Sequence, residues 1–184
     1  AHYLFDPSVH ADDNLAYYLV GEGVGLGVID NGRLINGLLG AATEIGHISI
    51  DVNGRPCDCG NVGCLERYCS TPAIHDTLIA DGTVVPGAAD MTHTEVARYV
   101  GYGCVTIFNG YNPEHIIIGD IVSEAGPILL DEVRATVAER AIPEINASTS
   151  ISLSTLSADA AVSGAAAVAV TQFLEHPSVF FDVS

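Results

Sequence analysis

Apolar residues along this chain follow two periods, a strand-like density near the start and a helical repeat further on. Asn14 to Val20 (Asn-Leu-Ala-Tyr-Tyr-Leu-Val) is rich in apolar and aromatic residues and predicts a strand. Glycine then recurs at every second position from Gly21 to Gly27, ahead of Val28 and Ile29. Asp30-Asn31-Gly32 is a turn signal, after which Arg33 to Leu39 is expected to return as the next strand. The opening therefore reads as antiparallel strands joined by tight turns.

Beyond a cysteine-bearing loop, residues 73–80 predict a short helix and residues 82–90 a loop of small residues. Thr94 to Gly110 sets Val96, Val100, Cys104 and Ile107 on one helical face, and Pro113 ends it. Ile116-Ile117-Ile118 reads as a buried strand running into Gly119-Asp120. Ser123 is expected to cap a helix carrying Ala125, Leu129, Val133 and Val137, with Pro127 in its first turn and Pro143 past its end. Ile151 to Leu156 is a last strand, and Asp159 to Glu175 an alanine-rich last helix. Strands first, then helix, strand, helix, strand and helix, is an α/β plan.

Composition narrows the partners. The 184 residues are 48% hydrophobic, enough for a real core, yet no apolar run approaches the roughly 20 residues of a membrane span. The net charge of −17 sets 23 acids against six arginines, with no lysine. Such a surface does not itself grip DNA or an anionic membrane, since phosphate contacts need clustered cations. The start lacks the basic-then-apolar plan of a signal peptide and does not begin with Met. The chain is thus expected to be cytoplasmic and part of something longer. Five cysteines, an odd number, argue against a closed disulfide framework. Cys104, on the apolar helical stripe, reads as a small core residue.

The candidate chemistry sits between residues 44 and 66. His47, Cys57, Cys59 and Cys64 make a full tetrahedral set for zinc, with glycines where tight turns between ligands need them. The spacing is not that of paired C-x2-C knuckles. Zinc has no need of the flanking carboxylates Glu44 and Glu66, so the loop reads as a metal-braced holder of acidic side chains around a small ligand. The other histidines (His2, His10, His75, His93, His115, His176) show no pairing at metal spacing, and Tyr17, Tyr18, Tyr99, Tyr102 and Tyr111 read as core or interface residues.

Glu44-Ile-Gly-His47, followed by Gly54-Arg-Pro-Cys57-Asp-Cys59-Gly60-Asn-Val-Gly63-Cys64-Leu-Glu66, resembles the signature of the ROK family of bacterial sugar kinases and sugar-responsive repressors. The resemblance extends through Phe108 to Glu114, the Ile116–Gly119 strand and Ser157 to Ala166. It implies a ribonuclease H-like lobe of the actin-like ATPase superfamily, a mixed sheet with flanking helices, spanning residues 1–184. It also implies that His47, Cys57, Cys59 and Cys64 bind zinc and that Glu44, His47 and Glu66 face a sugar or sugar phosphate. Gly21, Gly23, Gly25 and Gly119 would meet a nucleotide if the chain were a kinase.

Three departures from the kinase pattern favour a repressor. Glu22 stands where the family's kinases carry a small hydroxyl, and Asp120 where they carry a second glycine. Asp12-Asp13-Asn14 leads into a strand, where the kinases' catalytic Asn-Asp pair leads into a helix. The reading is the sugar-sensing C-terminal portion of a dimeric or tetrameric ROK-type transcriptional regulator, touching DNA only through an N-terminal domain not in this chain. The alternative is the C-terminal lobe of an ATP- and Mg²⁺-dependent hexose kinase.

Overall fold

The computed structural model of the chain describes residues 14–74, 94–143, 148–156 and 160–175. Strand β1 (Leu15–Val20) lies at the centre of a five-stranded sheet and buries Leu15, Ala16, Tyr18 and Val20. It pairs antiparallel with β2 (Val24–Asp30) across a three-residue turn, from Leu15 opposite Ile29 to Val20 opposite Val24. On its other side it pairs parallel with β4 (His115–Gly119), from Leu15 opposite His115 to Leu19 opposite Gly119. Edge strands β3 (Arg33–Leu34) and β5 (Ser150–Leu153) complete the order β3-β2-β1-β4-β5. The sheet is mixed because the turns between early strands are short, whereas the later strands are separated by helices, which parallel pairing requires.

Helix α2 (Thr94–Tyr111) follows a four-residue helix, α1 (Glu66–Cys69). It buries Ala97, Val100, Cys104, Ile107 and Phe108 completely. Each large apolar side chain so buried contributes about 1.5–3 kcal/mol. That outweighs the three interior glycines, Gly101, Gly103 and Gly110, which each disfavour a helix by about 1 kcal/mol. Gly103 also has a positive role, because a methyl group there would run into the Tyr18 hydroxyl on β1. Helix α3 (Gly126–Arg140) packs on α2 and buries Leu129, Val133, Thr136 and Val137.

Two sequence expectations are corrected here. The strand predicted from Arg33 to Leu39 stops at Leu34. Gly37, Leu39 and Gly40 all adopt positive φ, and Leu38 and Leu39 are exposed, so an apolar run without alternation has no sheet neighbour to pair with. Ser123 does not cap α3. It lies inside a 3-10 turn, Ile121–Ala125, that is capped by the Asp120 carboxylate accepting the Ile121 N–H at 2.8 Å, and α3 begins at Gly126 with Pro127 in its first turn. Most of the helix predicted at 73–80, the loop at 82–90, and His2, His10, His75, His93 and His176 lie outside the described residues. The last predicted helix is α4 (Ala160–Glu175), which belongs to a second unit of the chain.

Tyr18 is fully buried, and its hydroxyl makes no hydrogen bond among the described residues. Burial pushes its pKa well above the usual value, so it stays neutral. A buried hydroxyl without a partner costs stability. Tyr18→Phe is therefore expected to leave the melting temperature unchanged or raise it, whereas Gly103→Ala lowers stability by about 1–3 kcal/mol through overpacking. Thermal unfolding of the two single variants and the double variant checks this, with Tyr18→Phe partly rescuing Gly103→Ala.

Candidate functional site

The cysteine loop leaves the sheet after β3 and closes on itself before α1. Two isolated bridges pair Ser49 with Cys64 and Pro56 with Val62. Backbone bonds run from Ile50 N–H to Gly63 O (2.8 Å), Leu65 N–H to Ile48 O (3.0 Å) and Gly63 N–H to Arg55 O (2.7 Å). Gly63 has φ +71°, and a side chain there would collide with the Asp51 backbone. Glycine is required at this neck.

Closure brings together one ligand atom each from His47, Cys57, Cys59 and Cys64, all within 4.8 Å of one another. Cys57 Sγ is 3.8 Å from His47 Nδ1, and Cys59 Sγ is 3.6 Å from Cys64 Sγ. A tetrahedral zinc with bonds of about 2.3 Å sets sulfur ligands about 3.8 Å apart, so the donor set fits such an ion. The thiols differ. A backbone hydrogen bond from Asn61 draws exposed Cys59 below its usual pKa, whereas burial and the neighbouring thiols push Cys64 up to about 12. A bound cation would hold both as thiolates. Cys69 and Cys104 are not in the cluster; both are buried in the core.

The two flanking carboxylates are placed differently. Glu44 is exposed and leads into the 3-10 turn Ile45–His47, its carbonyl accepting the His47 N–H at 3.1 Å. Glu66 opens α1 and points back to the sheet, where Oε2 accepts the Val24 N–H at 3.0 Å. One of its oxygens is therefore already engaged, a feature that the sequence did not reveal because Val24 lies 42 residues away.

The glycine turn Gly21–Gly23 is likewise occupied from within. The Gly21 N–H closes onto Gly23 O at 3.0 Å, and Gly21 O accepts the Thr71 N–H at 2.8 Å. The Asp120 carboxylate lies where a Gly21 side chain would be, with Asp120 itself at φ +69°. Glu22 is exposed beside it. Gly25 lies within β2 opposite Leu19, and Gly119 ends β4 with the Tyr17 hydroxyl over its Cα.

One further arrangement was missed from sequence, which gives no sign of contacts between separate elements. The Arg55 guanidinium lies 5.0 Å over the Tyr68 ring, Tyr68 is 4.8 Å from Tyr99, Tyr99 is 6.0 Å from Tyr102, and Arg140 lies 4.9 Å over Tyr102. The backbone N–H of Arg55 also donates to the Tyr68 hydroxyl at 3.0 Å, and its Nη1 donates to Arg67 O at 2.9 Å. This ladder ties the neck of the cysteine loop to α2 and the end of α3.

The profile described as the ROK family matches residues 5–172. The chain belongs to the ROK family. It is 31% identical over 175 residues to a xylose repressor of Bacillus spizizenii, covering 89% of this chain and 46% of that relative. It superposes on a ROK-family transcriptional regulator, a homologue of the E. coli MLC protein, with TM-score 0.72 and 28% identity over 83% of this chain and 44% of the other. It also superposes on a ROK-family glucokinase from Streptomyces griseus in complex with glucose and AMPPNP, with TM-score 0.75 and 25% identity over 91% and 63% of the two chains. Regulators and kinases thus both stand among its ROK relatives, and the mixed α/β sheet is that of the actin-like ATPase and sugar-kinase fold. The chain spans about half the length of the curated relatives it matches.

Removing the Arg55 guanidinium from the Tyr68 ring is expected to cost about 0.5–2 kcal/mol, the range of a cation–π contact, while the backbone hydrogen bond to the Tyr68 hydroxyl stays. A double-mutant cycle of Arg55→Ala and Tyr68→Leu in urea unfolding measures it, with a favourable coupling energy expected.

Proposed function

We propose that this chain is the sugar-binding effector portion of a ROK-family transcriptional regulator, braced by zinc at His47, Cys57, Cys59 and Cys64. His47 turns Nδ1 toward Cys57, so a metal there would fix the proton on Nε2 and leave it as a donor. Glu44 and the second oxygen of Glu66 supply acceptors. One donor and two acceptors suit vicinal hydroxyls, each of which can give and take a hydrogen bond. The zinc contributes no reaction chemistry in this reading; it holds the loop that carries these groups.

The state of the glycine turn carries the choice of regulator over kinase. A phosphate loop needs free N–H donors and tolerates no nearby anion. Here the Gly21 N–H is used within the turn, the Val24 N–H is taken by Glu66, and Asp120 lies against Gly21. Two like charges about 4 Å apart at a surface dielectric near 20 repel by about 4 kcal/mol, roughly a thousandfold in affinity. The same carboxylates leave a neutral polyol unaffected. Sugar would then act by stabilising one arrangement of a homodimer or tetramer over another, with DNA contacted by a segment outside this chain. No described helix is long and apolar enough to cross a membrane, and a regulator of this kind would work in the cytoplasm.

Calorimetric titration with D-xylose, D-glucose and N-acetyl-D-glucosamine tests this. Saturable heat from one of them is expected, weakened roughly tenfold or more by Glu44→Gln, which loses a charged hydrogen bond. ATP-dependent phosphorylation of any of the three would overturn the regulator reading in favour of the kinase. Metal analysis of the purified chain is expected to find zinc, and Cys59→Ser to lower both zinc content and sugar affinity.

A further inference from the structure

Among the described residues, five other than glycine adopt positive φ: Asn31, Leu39, Thr43, Asn112 and Asp120. Asn and Asp visit that region readily, and Leu39 lies on an exposed turn. Thr43 is different. It is β-branched, half-buried and held at φ +66°, a conformation that such a side chain avoids.

What holds it there is visible. The Thr43 hydroxyl donates to the carbonyl of Leu26 on β2 and lies 2.6 Å from Ala42 O. Its own carbonyl accepts the Ile45 N–H at 2.7 Å. Three residues on, Gly46 is pressed so closely on the Val24 carbonyl that any side chain there would clash. Leu26 and Val24 are two apart on β2 and so point their carbonyls to the same edge of the strand. Residues 43 and 46 are thus fastened at successive positions along one strand, and Glu44 lies between the two fastenings.

We infer that Thr43 is a positioning residue for Glu44: its hydroxyl tether to β2 enforces the left-handed turn that sets where the Glu44 carboxylate stands relative to His47. This rests on the sugar reading of Glu44 given above. Strain kept in place by specific bonds beside a binding group is the pattern of a preorganised site. A free turn at this point would let Glu44 swing, and ligand affinity would fall through the loss of preorganisation.

Three substitutions separate the tether from the turn. Thr43→Ser keeps the hydroxyl, Thr43→Val keeps the shape and removes it, and Thr43→Gly removes both the hydroxyl and the steric objection to positive φ. Each full chain is titrated by calorimetry with D-xylose, D-glucose and N-acetyl-D-glucosamine, and its melting temperature is recorded. Sugar affinity is expected to hold within about twofold in Thr43→Ser and to fall roughly tenfold in Thr43→Val and Thr43→Gly. In Thr43→Gly that fall should come without a matching drop in melting temperature, because glycine accepts positive φ; this keeps the test decisive if Thr43→Val fails to fold. Wild-type binding that survives unchanged in both Thr43→Val and Thr43→Gly overturns the positioning role alone. Absence of binding by the wild type to all three sugars overturns the sugar reading, and the positioning role with it.

Discussion

Val24 is where both ends of the cysteine loop meet the sheet. Its N–H is bound by Glu66 at 3.0 Å, and its carbonyl receives the bare Cα of Gly46. The loop between them closes through Gly63, and His47 and the three cysteines converge within it. Placing two segments 20 residues apart in sequence against one residue is what turns a glycine-rich stretch into a site. It also sets where the candidate ligand groups can stand, since Glu44, His47 and Glu66 all project from backbone fastened to β2 or closed by this loop.

The same junction bears on the choice between sensing and catalysis. The Glu66 carboxylate holds the Val24 N–H from within the chain, so this donor is engaged before any outside anion arrives. Asp120 adds a second internal anion at Gly21 while capping the turn Ile121–Ala125. In the proposed regulator reading, these internal acids oppose a triphosphate while the hairpin stays beside the candidate sugar groups. The Arg55–Tyr68–Tyr99–Tyr102–Arg140 ladder joins the loop to the outer helices of the same unit.

Much of this was legible in the sequence for identifiable reasons. Central strands and long helices announced themselves because burial forces a period on their apolar residues: Val100, Cys104 and Ile107 are all fully buried, on the face that the repeat predicted. The convergence of His47, Cys57, Cys59 and Cys64 was legible because these residues are close in sequence and chemically distinctive. Where reading failed, the deciding contact was long-range or the rule was ambiguous. Leu38 and Leu39 looked like strand because they are apolar, but nothing lies beside them to pair with. The Glu66 hydrogen bond to Val24 left no sign because its partner on β2 is remote in sequence. Thr43 gave no signal at all, since a threonine before a glutamate is unremarkable until its backbone angle is known.

In the proposed function, sugar lands at the Val24 junction, among Glu44, His47 and Glu66. Amide spectra of the isotopically labelled chain during titration with D-xylose, D-glucose and N-acetyl-D-glucosamine test it most directly. One sugar is expected to shift the Val24, Ile45 and His47 amides saturably while Mg²⁺-ATP leaves them in place. Saturable shifts with ATP, or sugar-induced shifts confined to residues away from that junction, would contradict it.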